Sequence, residues 1–531
     1  MINKILPKHQ TLKKKSKIEY NNIENLFLKK LIKFKKKNFI IFPDSKIKKY
    51  TYQEFHNHVM SAIQILDFYK IKKGETISII FYNQVEFLIF YFACLFRGVV
   101  AVPINPDLSS KEIDFIVKNS KSRLVFFSST IEFKIKNSLL AKNFYLKVIT
   151  FNDFFKQFEL NNNNKKITHI KVNLHDEAAI IYTSGTTGNP KGVVLTHLNL
   201  LSDAKAISEW FKFNDKTITL CVLPLFHNNG QITTFLAPLY AGGSTVITVG
   251  KTNIMNFWYN IKKYKITWTS VMASILSILS SLPFKKKNNS LKAILCGGQV
   301  LTRSLQEKFE NKFKVPVFEG YGLTETTSFA CINDYSKKKR VIGSIGKPLP
   351  VNEMEIINSK TNNILGPNQE GEICIRGLNV AKQYFKLYKK NKIFFRNGWF
   401  HSGDYGSKDA NGYFYFHGRK DSLIIKGGEN IYPAEIENAL YKIKDIDECA
   451  VIGIPDKFLG ENICAFIEFK KNVLIKKERI ISLLSNHLAM FKLPKKIIIL
   501  NKETDFKKIP KGPTKKILYR KLRSYYEKKY K

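Results

Sequence analysis

Short, largely apolar strands alternate with helical segments between residues 76 and 129. The strands are predicted at residues 76–81, 99–104 and 123–127, with an intervening helix at residues 84–97. Ser109 and Glu112 have the spacing of a capping box, which predicts the start of another helix. Apolar strands that are separated by helices indicate a parallel sheet covered on both faces. The first part of the chain is therefore predicted to be a layered α/β domain.

The same pattern resumes later and then changes. Further strands are predicted at residues 178–181, 217–223, 243–249, 266–270, 293–296 and 315–319. Alternating strands at residues 353–357 and 372–377, with the hairpin signal Asn411-Gly412, indicate a β-barrel-like part. After Arg419 the pattern is that of a small α+β unit, with a helix at 435–441 and strands at 448–454 and 463–469.

These patterns together predict a mixed α/β and α+β protein of two domains. A chain of 531 residues exceeds the size of one typical hydrophobic core. Residues 1–420 are predicted to form the large domain, and residues 421–531 the small one. The longest apolar stretch, residues 87–96, is too short to span a bilayer, so no transmembrane segment is expected. The basic N-terminus lacks an apolar signal core, which predicts a cytoplasmic protein and leaves organelle import open.

The charge balance and the cysteines exclude some functions. Lys and Arg total 87 against 43 acidic residues, but the lysines run along the whole chain together with abundant Ile, Asn, Phe and Tyr. This distribution indicates the compositional bias of an AT-rich genome, and no specific nucleic-acid partner is expected. The seven cysteines are scattered without a CxxC spacing, which argues against a disulfide framework and a structural zinc.

The segment Tyr182–Gly192, YTSGTTGNPKG, follows an apolar strand and has the composition of a polyphosphate-binding loop. Glycines let backbone N–H groups approach phosphate oxygens, hydroxyls donate further hydrogen bonds, and a lysine adds charge. It is not a Walker A loop, because Gly192 follows Lys191. A flexible surface loop is the alternative. The candidate phosphate ligands are Thr183, Ser184, Gly185, Thr186, Thr187, Gly188 and Lys191.

A second cluster, EGYGLTET, occupies residues 319–326. The glycines beside Tyr321, including Gly322, would let its ring lie against a flat ligand. Thr324 adds a hydroxyl, and Glu325 is suited to Mg²⁺, which prefers hard oxygens shared with substrate phosphates. The alternative is a glycine-rich turn capped by Thr324.

A third set of residues completes a resemblance. It contains Ser402-Gly403-Asp404, Gly418-Arg419 and Lys426-Gly427-Gly428-Glu429. With the two clusters above, it resembles the adenylate-forming superfamily of acyl-CoA synthetases, luciferases and peptide-synthetase adenylation domains. The resemblance runs from about Asn22 to the end of the chain.

The resemblance implies an acid–thiol ligase that uses ATP, Mg²⁺ and coenzyme A, in fatty-acid or related acyl metabolism. A carboxylic acid would attack the α-phosphate of ATP, release pyrophosphate and form an acyl-adenylate. Coenzyme A would then displace AMP to give a thioester. Such positional and electrostatic catalysis suits the residue types present.

Individual roles follow from the same resemblance. The loop from Thr183 to Lys191 would hold the β- and γ-phosphates, Thr324 would contact phosphate, and Glu325 would hold Mg²⁺. The remaining positions are Tyr321 and Gly322 beside adenine, Gly298 in the adenine and acyl pocket, Asp404 on the ribose hydroxyls, Arg419 on ribose or phosphate, Lys426 and Gly428 beside the pantetheine channel, and His227 at the acyl pocket. His227 is equally explained as a buried structural histidine.

The C-terminal motif departs from the family pattern. Lys516 aligns with the lysine that bridges the carboxylate and the α-phosphate, while Lys515 replaces a glycine. Lys515 is therefore an alternative active lysine, or a sign of weakened adenylation. Asp421 aligns with the hinge about which the small domain would rotate, so that domain is expected to be mobile.

Three functions stay open at this point. The first is an acid:CoA ligase, the second an enzyme that loads an acyl-carrier protein, and the third a catalytically weakened nucleotide-binding protein. The absence of a long insertion suggests a short, medium, aryl or branched acid. Asn228, Asn229 and Gln231 make one edge of the acyl pocket polar, which suits a polar acid.

Overall fold

The computed structural model divides the chain into two compact units. The first contains Met1–Met354 and Ile375–Phe400, and the second contains Glu355–Cys374 and His401–Lys531. The structure describes residues 7–12, 17–43, 48–132, 135, 147–150, 170–183, 190–248, 254–283, 290–336, 338–427, 429–470, 475–500, 504, 506, 508–512 and 517–530. The domain boundary at residues 420 and 421 stays a prediction.

The strands agree with most of the sequence-based positions. In chain order they are β1 Asn38–Phe42, β2 Lys48–Thr51, β3 Thr76–Ile80, β4 Val100–Pro103, β5 Leu124–Phe127, β6 Lys147–Thr150, β7 Glu177–Thr183, β8 Lys191–Thr196, β9 Ile218–Cys221, β10 Ser244–Ile247, β11 Trp268–Val271, β12 Ala293–Cys296, β13 Val317–Tyr321, β14 Cys331–Ile332, β15 Lys347–Pro348, β16 Asn352–Ile357, β17 Gly371–Gly377, β18 Gln383–Tyr384, β19 Phe395–Arg396, β20 Trp399–Lys408, β21 Phe414–Arg419, β22 Ile424–Lys426, β23 Glu429–Ile431, β24 Ile446–Asp456, β25 Gly460–Phe469 and β26 Lys496–Ile499.

Most of the helices lie between these strands in the chain. They are α1 Ile23–Phe34, α2 Tyr52–Phe68, α3 Val85–Arg97, α4 Ser110–Ser120, α5 His197–Trp210, α6 Ala237–Ala241, α7 Phe257–Lys263, α8 Ala273–Ser281, α9 Arg303–Phe313, α10 Tyr388–Phe394, α11 Pro433–Leu440, α12 Lys477–Ser485 and α13 Tyr519–Tyr530. The predicted capping box forms at α4, where Ser109 and Glu112 exchange side-chain and backbone hydrogen bonds. No described helix is both long and apolar enough to cross a bilayer.

Two largely parallel sheets form the first unit. One has nine strands in the order β15-β14-β13-β12-β11-β9-β10-β1-β2, and the other has seven in the order β18-β8-β7-β4-β3-β5-β6. The strands from β13 to β1 of the first sheet, and from β7 to β6 of the second, are parallel. The predicted parallel α/β architecture is therefore confirmed.

One large apolar cluster holds this unit together. It contains buried side chains of both sheets and of α1, α2 and α5, as well as nearly every residue of α3. A helix that is apolar all round must be buried on all sides. Layers of sheet and helix therefore enclose a common core.

The second unit has its own sheet and core. The sheet order is β23-β22-β25-β24, with β26 parallel to β25. Apolar residues of α11, α12, β24 and β25 form one core cluster. The predicted hairpin at Asn411-Gly412 joins β20 to β21, which pair in antiparallel fashion. A further sheet has the order β16-β17-β20-β19, with β21 paired to β20.

Candidate active site

The predicted phosphate loop joins the two strands of a hairpin. Strands β7 and β8 are antiparallel, and Thr183 pairs with Lys191 at the loop end of the hairpin. Ser184, Gly185, Thr186, Thr187 and Gly188 lie outside the described residues. The sequence predicted the strand before the loop but not β8. The return strand fixes both ends of the loop on the sheet, whereas a P-loop runs from a strand into a helix.

Lys191 begins β8 and lies against two aromatic rings. Its Nζ is 5.6 Å from the ring centroid of Tyr384 and 5.0 Å from that of Phe394. A cation over an aromatic face is stabilised by the ring quadrupole. The rings therefore restrict where the ammonium group can lie.

Tyr384 connects this hairpin to the second cluster. It belongs to β18, which pairs with β8 so that Tyr384 lies opposite Val193. Its hydroxyl donates a hydrogen bond of 2.7 Å to Oε1 of Glu325. The backbone of Glu325 is held as well, because its carbonyl accepts a hydrogen bond of 2.7 Å from the N–H of Ala381. Lys191 and Glu325 thus contact the same tyrosine, one over its ring and the other at its hydroxyl.

The EGYGLTET turn is tightly constrained. Tyr321 ends β13, and Thr324 and Glu325 begin a single 3₁₀ turn. At Gly322 an added Cβ would lie 1.8 Å from the carbonyl oxygen of Ser328, so only glycine fits. Thr327 adopts φ 64° and ψ −60°, an unusual conformation for a β-branched residue. Its hydroxyl donates to the carbonyl of Asn379 at 2.7 Å, which holds the turn in this conformation.

Gly298 follows β12 and has a different environment. Its φ is +79°, and an added Cβ would meet no atom within 4 Å. The glycine is therefore required by the backbone conformation, while the space beside it is open. The neighbouring Gln299 accepts a hydrogen bond of 3.1 Å from the N–H of Ser274. These features are compatible with the predicted adenine and acyl pocket, which stays a prediction.

His227 precedes a π-helical segment at Asn229–Leu236. The ring centroids of His227 and Phe226 are 4.8 Å apart. The backbone carbonyl of His227 accepts a hydrogen bond of 3.2 Å from the N–H of Gln231. π-helical segments are rare and frequently occur at functional sites. The proposed gating role of His227 stays a prediction.

In the second unit, Asp404 and Arg419 lie opposite each other on the β20–β21 hairpin. Arg419 Nε is 3.1 Å from Asp404 Oδ1, and the side chain of Asp404 is buried. The backbone N–H of Asp404 donates to Ser402 Oγ at 3.0 Å. The hairpin thus joins two predicted ribose and phosphate ligands.

A buried pair supports this hairpin. Glu372 accepts hydrogen bonds from Gly403 N at 3.0 Å and from His401 Nδ1 at 3.1 Å. Burial alone would raise the pKa of Glu372, but the His401 ring and the Gly403 amide outweigh it and lower that pKa. The acceptor carboxylate fixes the backbone that presents Asp404.

The other predicted site residues lie in the C-terminal part of the chain. Lys426 lies in β22, and its Nζ donates to the carbonyl of Phe491 at 2.9 Å. Gly428, Lys515 and Lys516 lie outside the described residues. Their roles stay predictions.

Some residues were missed by the sequence analysis. Tyr384 lies in a two-residue strand that has no periodic signal, and its partner Glu325 is 59 positions away. In the sequence, Glu372 is only one residue of a predicted strand. Nothing in the sequence pattern links it to His401 and Gly403.

The match to known families decides the identity. The sequence model described as AMP-binding enzyme matches residues 29–385, and the one described as AMP-binding enzyme C-terminal domain matches residues 435–513. The chain is an AMP-binding enzyme. The predicted membership of the adenylate-forming superfamily is therefore confirmed.

Two relatives show how far the similarity of this AMP-binding enzyme extends. It is 33% identical over 441 residues to oxalate–CoA ligase of Arabidopsis thaliana, covering 81% of this chain and 85% of that protein. It is 32% identical over 454 residues to 2-succinylbenzoate–CoA ligase of Oceanobacillus iheyensis, covering 85% and 90%. Both proteins are named as CoA ligases, so the predicted acid–thiol ligase activity is confirmed.

Solved structures of related enzymes have the same fold. MatB of Rhodopseudomonas palustris with bound ATP superposes with a TM-score of 0.87 at 26% identity, over 96% of this AMP-binding enzyme and 99% of MatB. The o-succinylbenzoate CoA synthetase MenE of Bacillus subtilis, with its acyl-adenylate OSB-AMP, gives a TM-score of 0.83 at 28% identity, over 94% and 97%. The predicted fold of a large N-terminal and a small C-terminal domain is therefore confirmed.

Proposed function

We propose that this enzyme is an ATP-dependent acid:CoA ligase that acts through an acyl-adenylate. The observation that carries the proposal is the contact set around Tyr384, which places Glu325 and Lys191 beside the same phenol ring. A carboxylate and an ammonium group fixed around one aromatic side chain suit a magnesium-bound polyphosphate. Relatives that are named as CoA ligases, and a related structure with bound ATP, support this proposal.

The residues fit a magnesium ion. Glu325 offers hard carboxylate oxygens, and one of them is oriented by Tyr384. In the proposal Glu325 holds Mg²⁺, which would neutralise charge on the polyphosphate. Lys191 and the loop from Thr183 orient the β- and γ-phosphates, Thr324 contacts phosphate, and Tyr321 lies against adenine.

Two other groups complete the proposed chemistry. Asp404 accepts hydrogen bonds from the ribose hydroxyls, and its buried carboxylate is oriented by Arg419. Lys516 stabilises the charge at the α-phosphorus as the acid oxygen forms its bond and pyrophosphate leaves. In the second half-reaction the thiol sulfur attacks the acyl carbon, AMP leaves, and the thiol proton passes to solvent.

We further propose that the acid is polar. The side-chain amides of Asn228 and Gln231 are buried, and neither makes a hydrogen bond within the described part of the chain. A buried amide without a partner costs about 1–3 kcal/mol. A second carboxylate or another polar group on the substrate would supply the missing partner.

Asn228 and Gln231 are close in the chain to Asn229 and Thr233, and the contacts of these two residues indicate where the amides lie. Asn229 Oδ1 accepts from Ser270 Oγ at 2.8 Å, near the carboxyl end of β11. Thr233 lies 3.3 Å from Ser328, just beyond the EGYGLTET turn. Ligands in open α/β sheets bind at the carboxyl ends of the strands. Oxalate and 2-succinylbenzoate, named in two relatives, are both dicarboxylic acids.

Acid-dependent ATP–pyrophosphate exchange tests the proposal. We expect exchange with small dicarboxylic acids such as oxalate and succinate, and about tenfold less with butyrate, which matches succinate in length. Equal exchange with succinate and butyrate would contradict the polar pocket. No exchange with any acid would contradict the ligase and favour a weakened nucleotide-binding protein.

The acceptor is tested separately. With the best acid, free coenzyme A should yield the thioester and AMP. Transfer to a holo-acyl-carrier protein without transfer to coenzyme A would favour the carrier-loading alternative.

A further inference from the structure

The N-terminal segment makes long-range contacts that the family match does not include. Lys8–Gln10 forms a single 3₁₀ turn, which precedes the matched residues 29–385. His9 and Gln10 are 8% and 2% exposed although the turn lies near the N-terminus. Two polar side chains are buried here only because they find specific partners.

Those partners are two consecutive backbone carbonyls. Gln10 Nε2 donates to the carbonyl of Val380 at 2.7 Å, and His9 Nε2 lies 3.1 Å from the carbonyl of Ala381. A carbonyl only accepts, so the His9 ring carries a proton on Nε2. Asn199 Nδ2 also donates to the carbonyl of Val380, at 2.8 Å. We call the pair His9 and Gln10 the N-terminal clip.

The backbone that the clip holds also contacts Glu325, the candidate magnesium ligand. The N–H of Ala381 donates to the carbonyl of Glu325 at 2.7 Å, while the carbonyl of Ala381 accepts from His9. Residue 381 is therefore held from both sides. Three positions later, Tyr384 donates to the carboxylate of Glu325.

Ring packing provides a second connection. The His9 ring centroid lies 4.6 Å from that of Phe395, and Phe395 lies 5.6 Å from Tyr384. Tyr384 is also the ring beside Lys191. The clip thus reaches the Glu325–Tyr384 pair through the backbone of residue 381 and through an aromatic side chain.

We infer that the N-terminal clip is a positioning element: His9 and Gln10 fix the segment 380–384 so that Tyr384 and Ala381 orient Glu325 for magnesium. The inference rests on the proposed function for its catalytic consequence. Neither clip residue contacts substrate in this assignment. A displacement of a metal ligand by a fraction of an ångström is sufficient to weaken metal binding.

The test uses the full chain with the double variant His9→Leu/Gln10→Leu, which removes both donors and keeps similar volume. We expect the magnesium concentration for half-maximal ATP–pyrophosphate exchange to rise about fivefold or more, on the scale of one or two lost hydrogen bonds. His9→Gln keeps a donor near the position of Nε2 and should restore most of the change. The matched control is Lys8→Ala, because the Lys8 side chain is exposed on the same turn.

A second measurement does not depend on activity. Hydrogen–deuterium exchange of the peptide that covers residues 378–385 should be faster in the double variant and unchanged in Lys8→Ala. Unchanged exchange of this peptide would overturn the clip itself. If hydrogen–deuterium exchange of this peptide is faster but the magnesium requirement of the enzyme is unaltered, the positioning role is overturned and the contact is purely structural.

Failure of the proposed function would look different. In that case the unmodified protein would show no acid-dependent exchange, and the catalytic part of the inference would fall with it. If the double variant does not fold, the single variants His9→Leu and His9→Gln carry the same comparison. Equal magnesium requirements in these two would reject the role of the His9 hydrogen bond.

Discussion

The hydroxyl of Tyr384 and the carboxylate of Glu325 form a hydrogen bond of 2.7 Å between residues that are 2% and 9% exposed. Tyr384 comes from the strand that pairs with β8, and Glu325 comes from the turn after β13. The bond therefore joins the seven-stranded and the nine-stranded sheet at the candidate magnesium site. Hydrogen bonds to ionised groups are about twice as strong as neutral ones.

Tyr384→Phe should weaken the magnesium-dependent step while leaving the fold intact. Loss of a charge-assisted hydrogen bond of about 1.5–3 kcal/mol predicts a decrease of roughly 10- to 100-fold in ATP–pyrophosphate exchange at limiting magnesium. The matched control is Tyr82→Phe, because Tyr82 donates to Asp107 at the same distance of 2.7 Å. Equal decreases in both variants would refute a specific role for Tyr384.

Lys191→Met should lower exchange about 100-fold, because the variant keeps the aliphatic contact with the rings and loses the charge that faces the polyphosphate. The effect should appear mainly in the ATP concentration dependence. Lys312→Met is the control, since Lys312 also lies over an aromatic ring, 5.2 Å from the centroid of Phe313. Normal exchange by Lys191→Met would remove this lysine from the site.

Lys516→Ala should reduce adenylation about 100-fold or more, the scale of losing one charge-stabilising group. This prediction comes from the sequence, and pyrophosphate release with the preferred acid measures it. Lys515→Ala is the companion variant. Damage confined to Lys515→Ala would assign the active lysine to position 515 instead.

Acidification should destabilise the first unit through His197. Its Nδ1 accepts from the N–H of Ile23 at 3.3 Å, and complete burial lowers the pKa of His197 to about 4. In the unfolded chain the pKa of this histidine is near 6.5. Above that pH the histidine is neutral in both states, and the free energy of unfolding keeps its full value. It falls as the pH decreases towards 4, by about 3 kcal/mol from this group.

His197→Asn tests this assignment, because the amide oxygen can replace the Nδ1 acceptor and does not titrate. The four tryptophans are Trp210, Trp258, Trp268 and Trp399, so their fluorescence reports on the first unit. The loss of unfolding free energy between pH 7.5 and 4.5 should be smaller in His197→Asn. The exposed His487→Asn should keep the original loss, and an equal loss in both variants would contradict the assignment.

The sequence was most informative where one local signal is sufficient. Residues 293–296 were predicted as a strand and form Ala293–Cys296, because a short apolar run between turns suits a buried parallel strand. Ser109 and Glu112 form the predicted cap because both partners lie within one helical turn. The glycine-bearing clusters likewise identified the family, since each motif is continuous in the chain.

The strands β8 and β18 were not predicted. Strand β18 has two residues and exists because β8 offers it backbone partners. The π-helical segment at Asn229–Leu236 also lacks a simple period in the sequence. Pairing with a distant element decides such structures, and local propensity is a weak guide there.

The amino-acid sequence by itself determined the layered α/β fold, the enzyme family and the chemical types at the candidate site, because these depend on local periodicity and on contiguous motifs. Only the tertiary structure decided that Tyr384 orients Glu325, that two aromatic rings flank Lys191, and that His9 holds Ala381. The partners in two of these contacts are 59 and 372 positions apart. Hydrogen bonds depend on distances and angles between atoms, which the folded chain sets and the order of residues does not reveal.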